Sequence, residues 1–433
     1  NFSGSNNWAI SGELSASGYP MLATDPHQPH SIPNTFFYVH LHTDDWDAFG
    51  AAFPGVPYFM MGFTNNVAWG LTTGFIDCYD LFAERIEEER YLHGQDWKAV
   101  VSREELIKVK GAEDRKIEVK TTHHGVLLEP LMQQLGMSNI VEPNLHQTSL
   151  YWSLRDVPTS AGALALLPMA KTTSEFGDFL FEDGVCPLVN NIICIDQQNK
   201  IERYIASVVP VRDGVTGSVP MAGWDLNHDF ALASQDQLTV EKNPKTGYSL
   251  TANNDTLGDR LDFYIHNFPT QSARADRIKQ LLQEGSKFTV DQFCDMQLDL
   301  VDLRAKELLP DLIDILRISK DSSVMKAADI LSDWDCRASC DSIGACVFYP
   351  FLDRYWQGKY MFEALGDDLL KLLPLAAPGL NKFDLKTFIK EDSPWSDHCE
   401  LLKKIVHREM RVVMDRLQES LGVEYGKWRW GDL

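Results

Sequence analysis

The stretch GSNNWAISG, residues 4–12, places a serine and two asparagines at the head of an apolar segment that contains Trp8 and Ile10. The apolar residues and their flanking glycines predict a β-strand over this stretch. Ser5 therefore stands where a strand begins and only four residues from the start of the chain. Whether Ser5 can become a terminal residue decides what chemistry the sequence supports.

The composition of the whole chain restricts the classes of protein to consider. Its 433 residues suffice for one large domain or two to three ordinary ones, and the hydrophobic content of 44% is ample for a packed core. The formal net charge of −22 argues against a nucleic acid or an anionic membrane as partner, because phosphate groups would repel the protein. We therefore expect an acidic globular protein with no nucleic-acid partner and no membrane partner.

Neither a targeting segment nor a metal-binding cysteine motif is visible in the sequence. No apolar run reaches the roughly 18–20 residues of a spanning helix, and no signal peptide precedes the first strand-like segment. Cys336, Cys340 and Cys346 lie close together but lack repeated CxxC spacing, which disfavours a zinc site. A disulfide between two of these three cysteines stays an open alternative. We expect a periplasmic or secreted protein, with a cytoplasmic location as the alternative.

The residue pattern of the first part of the chain is typical of a β-rich region. Residues 19–25, 35–43 and 67–75 are rich in β-branched and aromatic residues and predict buried strands separated by turns. Residues 190–207 predict a hairpin, with two alternating strands around a polar turn.

From Ala273 onward the pattern changes to helix. Residues 275–285 carry a helical apolar stripe that stops at Gly285, and residues 398–422 form the strongest predicted helix, closed by Gly422. This order predicts an α+β fold, with a β-rich catalytic core over residues 1–272 and a largely helical insertion over residues 273–433.

The common catalytic and nucleotide-binding motifs are absent. The sequence contains no GxSxG, HExxH, GxxxxGK[ST] or GxGxxG. A Ser–His–Asp triad built from distant residues stays open, although strand histidines most often make structural hydrogen bonds. The histidines cluster in two groups, His27, His30, His40 and His42, and then His123 and His124.

A serine can be activated in another way when it is the first residue of a chain. Its own α-amino group, with an ordinary pKa of about 7.7–8.0, can accept the hydroxyl proton directly or through water. Base and nucleophile then belong to one residue, and the base is already near its best strength at neutral pH.

The stretch around Ser5 resembles the Gly–Ser junction that opens the β chain of the penicillin acylase family, which are N-terminal-nucleophile (Ntn) amidohydrolases. His27 follows Ser5 by 22 positions, a spacing at which the family carries a histidine or glutamine near the nucleophile. The histidine is similar to the cephalosporin acylase and acyl-homoserine-lactone acylase branches. Residues 54–82, 247–255 and 331–345 resemble further blocks of the family, in the same order.

The resemblance implies a fold and a set of catalytic roles. The fold would be an αββα sandwich of two stacked antiparallel sheets. Ser5 would be nucleophile and base, and the backbone N–H of Thr73 and the side chain of Asn253 would stabilise the oxyanion. Arg274 would orient Asn253. The simpler alternatives are that Asn253 caps a turn and that Arg274 is a surface charge.

The resemblance also implies a structural calcium ion and no organic cofactor. Asp77 and Asp80 would be ligands, together with the carbonyl oxygen of Tyr79, and oxygen ligands of this kind suit a hard cation. The alternative is a solvated acidic turn. Phe36, Met60, Met61 and Phe63 would line an acyl pocket, with ordinary core packing as the alternative.

Maturation would cut the Gly4–Ser5 bond, because the nitrogen of Ser5 has no basicity while it is an amide. The resemblance further implies partners from the same precursor, an α chain that precedes the junction and a segment that follows residue 433. Expressed alone, this chain is expected to be insoluble or inactive.

The expected function is hydrolysis of N-acyl amides through an acyl-serine intermediate. Its substrates would be β-lactam side chains, N-acyl-homoserine lactones or acylated peptides. Two alternatives stay open. One is an acyltransferase or amide synthase that uses the same acyl-enzyme, and the other is a non-catalytic relative that has lost maturation.

Overall fold

The computed structural model describes residues 4–134, 147–155, 161–181, 188–212, 214–257, 263–265, 272–352 and 399–433. The chain forms two compact units, residues 1–270 and 271–433.

Within the described residues, the strands belong to the first unit. In chain order they are β1 Gly4–Ile10, β2 Met21–His27, β3 Phe37–His42, β4 Asp47–Ala52, β5 Met61–Thr64, β6 Val67–Thr73, β7 Tyr79–Glu84, β8 Ile86–Glu87, β9 Arg90–His93, β10 Asp96–Ala99, β11 Val101–Ile107, β12 Arg115–Thr121, β13 Val126–Leu127, β14 Gln147–Trp152, β15 Asn190–Asp196, β16 Ile201–Ala206, β17 Pro210–Val211, β18 Met221–Ala222, β19 Ala231–Leu232, β20 Thr239–Lys242 and β21 Tyr248–Thr251. The helices of this unit are α1 Leu128–Gln134, α2 Ala161–Leu166, α3 Thr173–Leu180 and α4 Gln235–Leu238.

Two antiparallel sheets of the first unit stack face to face. One has the strand order β2-β1-β21 and the other the order β20-β16-β15-β6-β5-β4-β3. Gly70 of β6 permits the close approach, since a Cβ atom at this position would lie 2.5 Å from Asn7 Oδ1. Thr72 Oγ1 and Thr251 Oγ1 lie 2.8 Å apart and join the sheets by a hydrogen bond.

Helix α3 covers the opposite face of the larger sheet. Side chains of β6 alternate between the two faces, so Trp69 points away from β1 and packs on Phe176, with ring centroids 5.6 Å apart. The hydroxyl of Tyr204 donates to the Thr173 carbonyl oxygen at 2.7 Å. The first unit is therefore built as sheet on sheet with helices on the outer face.

Further sheets complete the first unit. Their strand orders are β11-β12-β13-β14-β7-β18, β10-β9-β8 and β17-β19. Strand β18 pairs with β7 in parallel, whereas the other pairings of these sheets are antiparallel.

The predicted strands and hairpin are present as β2, β3, β6 and the β15–β16 pair. The predicted burial was wrong for β3, because Tyr38 is 79% exposed and most of the strand is exposed. The strand order explains this difference. Strand β3 is the edge strand, three strands away from β6, which contacts the stacked sheet.

The second unit is helical in its described residues. Its helices are α5 Ala273–Glu284, α6 Val290–Gln297, α7 Leu303–Arg317, α8 Ser322–Ser332, α9 Ile343–Tyr349 and α10 Cys399–Leu421. As predicted, α5 ends at Gly285 and α10 ends before Gly422, whose φ of 87° suits glycine. The apolar faces of α7, α8 and α10 meet in one core that includes Leu316, Val324 and Met414.

Candidate active site

Ser5 lies on strand β1, between β2 and β21. The register pairs Gly4 with His27 and Asn7 with Thr251, and its continuation places Asn253 opposite Ser5. The backbone N–H of Ser5 donates to Asn253 Oδ1 at 2.7 Å, and both residues are buried. In this chain the nitrogen of Ser5 is the amide of the Gly4–Ser5 peptide bond.

The side chain of Asn253 bridges Ser5 to the end of strand β6. Its Nδ2 donates to the Thr73 carbonyl oxygen at 2.8 Å, while its Oδ1 accepts from Ser5. Asn253 has a φ of 64°, a conformation that asparagine adopts more readily than most residues. Ser5, Thr73 and Asn253, which are far apart in sequence, are therefore joined by hydrogen bonds through the Asn253 side chain, with Ser5 and Asn253 buried and Thr73 exposed.

Thr73 is the last residue of β6 and lies opposite Asn190 of β15. Asn190 Nδ2 donates to the neighbouring Thr72 carbonyl oxygen at 3.2 Å, so asparagine side chains hold two consecutive carbonyl groups at this strand end. The contact with Asn253 uses the Thr73 carbonyl. The oxyanion role of the Thr73 N–H stays a prediction.

The imidazole of His27 lies on the other face of strand β1. Its Nε2 is 3.0 Å from Asp25 Oδ2 and 3.5 Å from Asn6 Nδ2. Side chains alternate along a strand, so Asn6 and Ser5 point to opposite faces. The backbone of His27 lies opposite Gly4, while the described hydrogen bonds of its ring go to Asp25 and Asn6, and its catalytic role stays a prediction.

Arg274 lies on helix α5 of the second unit, where it is half-buried. Ser5 and Asn253 belong to the first unit. The predicted action of Arg274 on Asn253 therefore stays a prediction.

The four residues predicted to line an acyl pocket have different environments. Met60 and Met61 are buried in the core cluster of the first unit, as the core-packing alternative expects. Phe36 is half-buried and stacks on Phe53 with ring centroids 4.7 Å apart, whereas Phe63 is largely exposed. Their role in substrate binding stays a prediction.

Asp77 and Asp80, the predicted calcium ligands, surround a buried arginine. Arg212 Nε lies 3.0 Å from Asp80 Oδ1, and its Nη2 lies 3.0 Å from Asp80 Oδ2. The same Nη2 is 3.1 Å from the Asp77 carbonyl oxygen and 3.5 Å from Asp77 Oδ2. Burial raises the pKa of both carboxyl groups, and the guanidinium partly opposes this rise.

The calcium ligation by Asp77, Asp80 and the Tyr79 carbonyl oxygen stays a prediction. Both oxygens of Asp80 are engaged by Arg212, and that guanidinium already supplies the positive charge that buried carboxylates require. Tyr79 is exposed and contributes its N–H to Asp77 Oδ1 at 3.4 Å.

Sequence reasoning missed Arg212 altogether. A signal was available, since Arg212 follows the apolar run of residues 208–211, a context in which a charged side chain needs an acidic partner. The spacing of 132 residues to Asp80 gave no means of identifying that partner from one sequence.

Comparison with known families decides what kind of protein carries this site. The family model for penicillin amidase matches residues 2–433. The chain belongs to the penicillin amidase family. Among curated relatives, the acyl-homoserine lactone acylase QuiP of Pseudomonas aeruginosa is 25% identical over 99% of this chain and 54% of its own length.

A second relative is a penicillin acylase rather than an acyl-homoserine lactone acylase. The penicillin acylase 2 proenzyme of a Pseudomonas species is 27% identical over 80% of this chain and 44% of its own length. The chain thus spans about half the length of the curated relatives that it matches.

The fold matches a solved structure as well. A thermostable penicillin G acylase from Alcaligenes faecalis superposes with a TM-score of 0.72 at 19% identity, covering 98% of this chain and 80% of that chain. This match confirms the predicted Ntn-hydrolase fold. It carries no information on the substrate.

Among the described residues, no helix combines the length and apolar character needed to cross a bilayer. Cys336, Cys340 and Cys346 are free thiols.

Proposed function

We propose that this chain carries the catalytic centre of an N-acyl amide hydrolase, with Ser5 acting as an N-terminal nucleophile after cleavage of the Gly4–Ser5 bond. The observation that carries the proposal is the buried contact of 2.7 Å between the Ser5 nitrogen and Asn253 Oδ1. A nitrogen that becomes an α-amino group would already be oriented by an acceptor. Kinship with acyl-homoserine lactone acylases and penicillin acylases supports the same reaction class.

The proposed reaction balances within Ser5, the amide and one water molecule. The α-amino nitrogen takes the proton of Ser5 Oγ while Oγ bonds to the carbonyl carbon. The tetrahedral intermediate collapses, the carbon–nitrogen bond breaks, and the ammonium returns the proton to the leaving amine. Water then attacks the acyl-serine ester with the same nitrogen as base, which releases a carboxylic acid and restores Ser5.

In this proposal Asn253 stabilises the charge that develops during this attack. Its Oδ1 accepts from the Ser5 nitrogen, and its Nδ2, which donates to the Thr73 carbonyl oxygen in this chain, would be the oxyanion donor. A donor held before the reaction stabilises an oxyanion without reorganisation, and loss of one such donor typically costs about 100- to 1000-fold in rate.

The proposal extends to substrate and partners in general terms. The substrate is an N-acyl amide with an apolar acyl group, in the class to which acyl-homoserine lactones and β-lactam side chains belong. The name of one relative includes the word proenzyme, and we propose that the working protein pairs this chain with an α chain from the same precursor. A periplasmic or secreted location belongs to the same proposal.

The deciding experiment uses the full-length gene product that contains this chain. Active material is purified, its chain termini are sequenced, and it is incubated with acyl amides of graded chain length while released amine is detected. We expect a new terminus at Ser5 together with amine release that depends on acyl length.

Each alternative gives a different result in this experiment. Active protein whose only terminus is Asn1, or any active form with a peptide bond before Ser5, overturns the proposed mechanism. Processed protein that releases amine only when a second amine is present identifies an acyltransferase. Processed protein without turnover and without a covalent adduct at Ser5 identifies a non-catalytic relative.

A further inference from the structure

Three histidines and an aspartate from separate segments converge in the first unit. His93 ends strand β9, His123 and His124 form the turn between β12 and β13, and Asp229 follows a short turn at residues 226–228. We name these four residues the histidine cluster. It uses none of the residues of the Ser5 site.

The nitrogen and oxygen atoms of the cluster lie at short mutual distances. His93 Nε2 is 2.7 Å from Asp229 Oδ2, and His123 Nε2 is 3.2 Å from Asp229 Oδ1. His124 Nε2 is 3.5 Å from the same Oδ1. One atom each from His93, His123 and Asp229 fall within 4.8 Å of one another.

The buried carboxylate of Glu84 fixes the orientation of the His124 ring through the ring nitrogen that faces away from the cluster. His124 Nδ1 donates to Glu84 Oε1 at 3.0 Å, and the same oxygen accepts from Thr122 and Ser149 at 2.8 and 2.7 Å. Burial alone would raise the pKa of Glu84, but these hydrogen bonds outweigh it and lower the pKa. Glu84 is therefore charged at neutral pH and keeps the proton of His124 on Nδ1.

This tautomer points the lone pair of His124 Nε2 into the cluster. The side chain is only 4% exposed, and within the described chain Nε2 has no hydrogen-bond partner. A buried lone pair that faces a carboxylate oxygen is repelled unless a proton or a cation lies near both atoms. A histidine held by a carboxylate on its far nitrogen is a common arrangement of metal ligands.

The distances from two of the imidazole nitrogens to Asp229 are comparable with those between ligands of one metal ion. Zinc–nitrogen bonds of about 2.0–2.1 Å place neighbouring ligand atoms about 3.3 Å apart. The contact of His93 Nε2 with Asp229 Oδ2, at 2.7 Å, and that of His123 Nε2 with Asp229 Oδ1, at 3.2 Å, are near that separation. Asp229 is 39% exposed, so an ion could enter from solvent without opening the fold.

We propose that the histidine cluster binds Zn²⁺ or a similar divalent transition metal through His93, His123 and Asp229, with His124 beside it. Imidazole nitrogen with one carboxylate favours such ions over Ca²⁺ or Mg²⁺, which prefer oxygen ligands. The bound ion would join strand β9, the β12–β13 turn and the segment at Asp229. Its role would be to stabilise the first unit.

One neighbouring group opposes metal binding and sharpens the test. Lys98 Nζ lies 2.6 Å from His93 Nδ1, to which it donates, so the ring proton of His93 lies on Nε2. Binding through Nε2 requires that proton to leave and the ammonium to turn away. Lys98 lies on β10, which is exposed, so this movement is open to it.

The experiment titrates Zn²⁺ into the full-length gene product after chelator treatment, with affinity measured by calorimetry and coordination by the absorption of bound Co²⁺. We expect one ion per chain and a higher melting temperature. His93→Ala and His123→Ala should each weaken Zn²⁺ binding by more than roughly 10- to 100-fold, the loss typical of removing a residue that only hydrogen-bonds to a ligand. Lys98→Ala should bind at least as tightly as the parent.

Matched variants keep the test decisive if an alanine variant fails to fold. Asp229→Asn preserves shape and should still lose the ion, because a neutral amide is a poor substitute for a carboxylate ligand. His42→Ala is the control, because it removes a histidine from another histidine–aspartate pair, with Asp47. Folded parent protein that binds no Zn²⁺, or binding lost equally in His42→Ala, overturns the proposal.

Discussion

The interiors of the two units differ in kind. In the first unit, charged and hydrogen-bonding side chains are buried between and beside the sheets, among them Asp77, Asp80, Glu84, Arg212 and Asn253. In the described part of the second unit, the buried residues are apolar apart from Glu409. Helices α7, α8 and α10 each bury an apolar face in this core.

The difference shows where chemistry can be located in this chain. A buried polar group destabilises a fold unless it is paired, and Asp80, Glu84, Arg212 and Asn253 are each held by specific partners. Side chains held in this way can orient a reacting group, whereas an apolar helical core supplies packing alone. The predictions below test this contrast, from the largest expected effect to the smallest.

Ser5→Ala should abolish amide hydrolysis. The variant lacks the oxygen that forms the acyl ester, and loss of a catalytic serine costs on the order of 10⁶-fold in turnover. Amine release by the full-length gene product measures the effect, and the chain should also remain uncut before residue 5. Ser11→Ala, which changes a buried serine just after β1, should keep its activity within a few-fold. Activity of Ser5→Ala near the parent level would contradict the proposal.

Arg212→Leu should cost about 3–5 kcal/mol of unfolding free energy, because it leaves two buried carboxylates without their cation. Urea unfolding measures this cost. Arg411→Leu is the control, since Arg411 is 61% exposed and its pair with Asp321 should contribute only about 0–1 kcal/mol. Equal losses in both variants would remove the contrast between the units.

The cost of Arg212→Leu should also depend on pH. Burial raises the pKa of Asp77 and Asp80, so the folded state binds protons more tightly than the unfolded state. The contribution of these two carboxyl groups to stability therefore falls as the pH rises from their unfolded pKa values through their folded ones. Without Arg212, which lowers both pKa values, the folded pKa values of Asp77 and Asp80 move higher still. Unfolding at about pH 5 should therefore show a smaller difference between variant and parent than unfolding at about pH 8.

Asn253→Gly should lower turnover by about 100- to 1000-fold, since it removes the proposed oxyanion donor. Glycine retains the backbone conformation at φ 64°, so strain does not contribute. Asn199→Gly is the matched control, because Asn199 has the same φ of 64°. A rate change in both variants of similar size would identify a structural effect.

Cys346 in the second unit should resist alkylation of the native protein. Burial raises its pKa to about 11, so only about 0.1% is thiolate at pH 8, against about a quarter of an ordinary thiol. Cys294 and Cys340 are exposed and should be modified first, as peptide mass mapping would show. Early labelling of Cys346 would mean that the apolar interior of this unit opens readily.

Local patterns sufficed for much of the secondary structure. The hairpin at residues 190–207 and the helix that closes at Gly422 follow from side-chain period and terminating residues, which act over a few positions. The burial of β3 did not follow. Its composition suits a core strand, but its place at the sheet edge depends on pairings made elsewhere in the chain.

The candidate site divides in the same way. Ser5, Thr73 and Asn253 were identified through resemblance to a family, and the structure joins them by hydrogen bonds. The face on which the His27 ring lies and the Arg212 partnership with Asp80 were not identified. The orientation of the His27 ring depends on the alternation of side chains along paired strands. The pairing of Arg212 with Asp80 depends on a contact between segments 132 residues apart.

The sequence by itself determined the strands, the helices, the acidic character and the residue types that acyl-transfer chemistry needs, because each of these depends on composition or short-range period. Only the tertiary structure decided which polar groups meet. It placed Asn253 on the nitrogen of Ser5, Arg212 between two carboxylates and three histidines around Asp229. Such contacts are selected by the need to pair every buried polar group, a condition that applies to the folded chain as a whole.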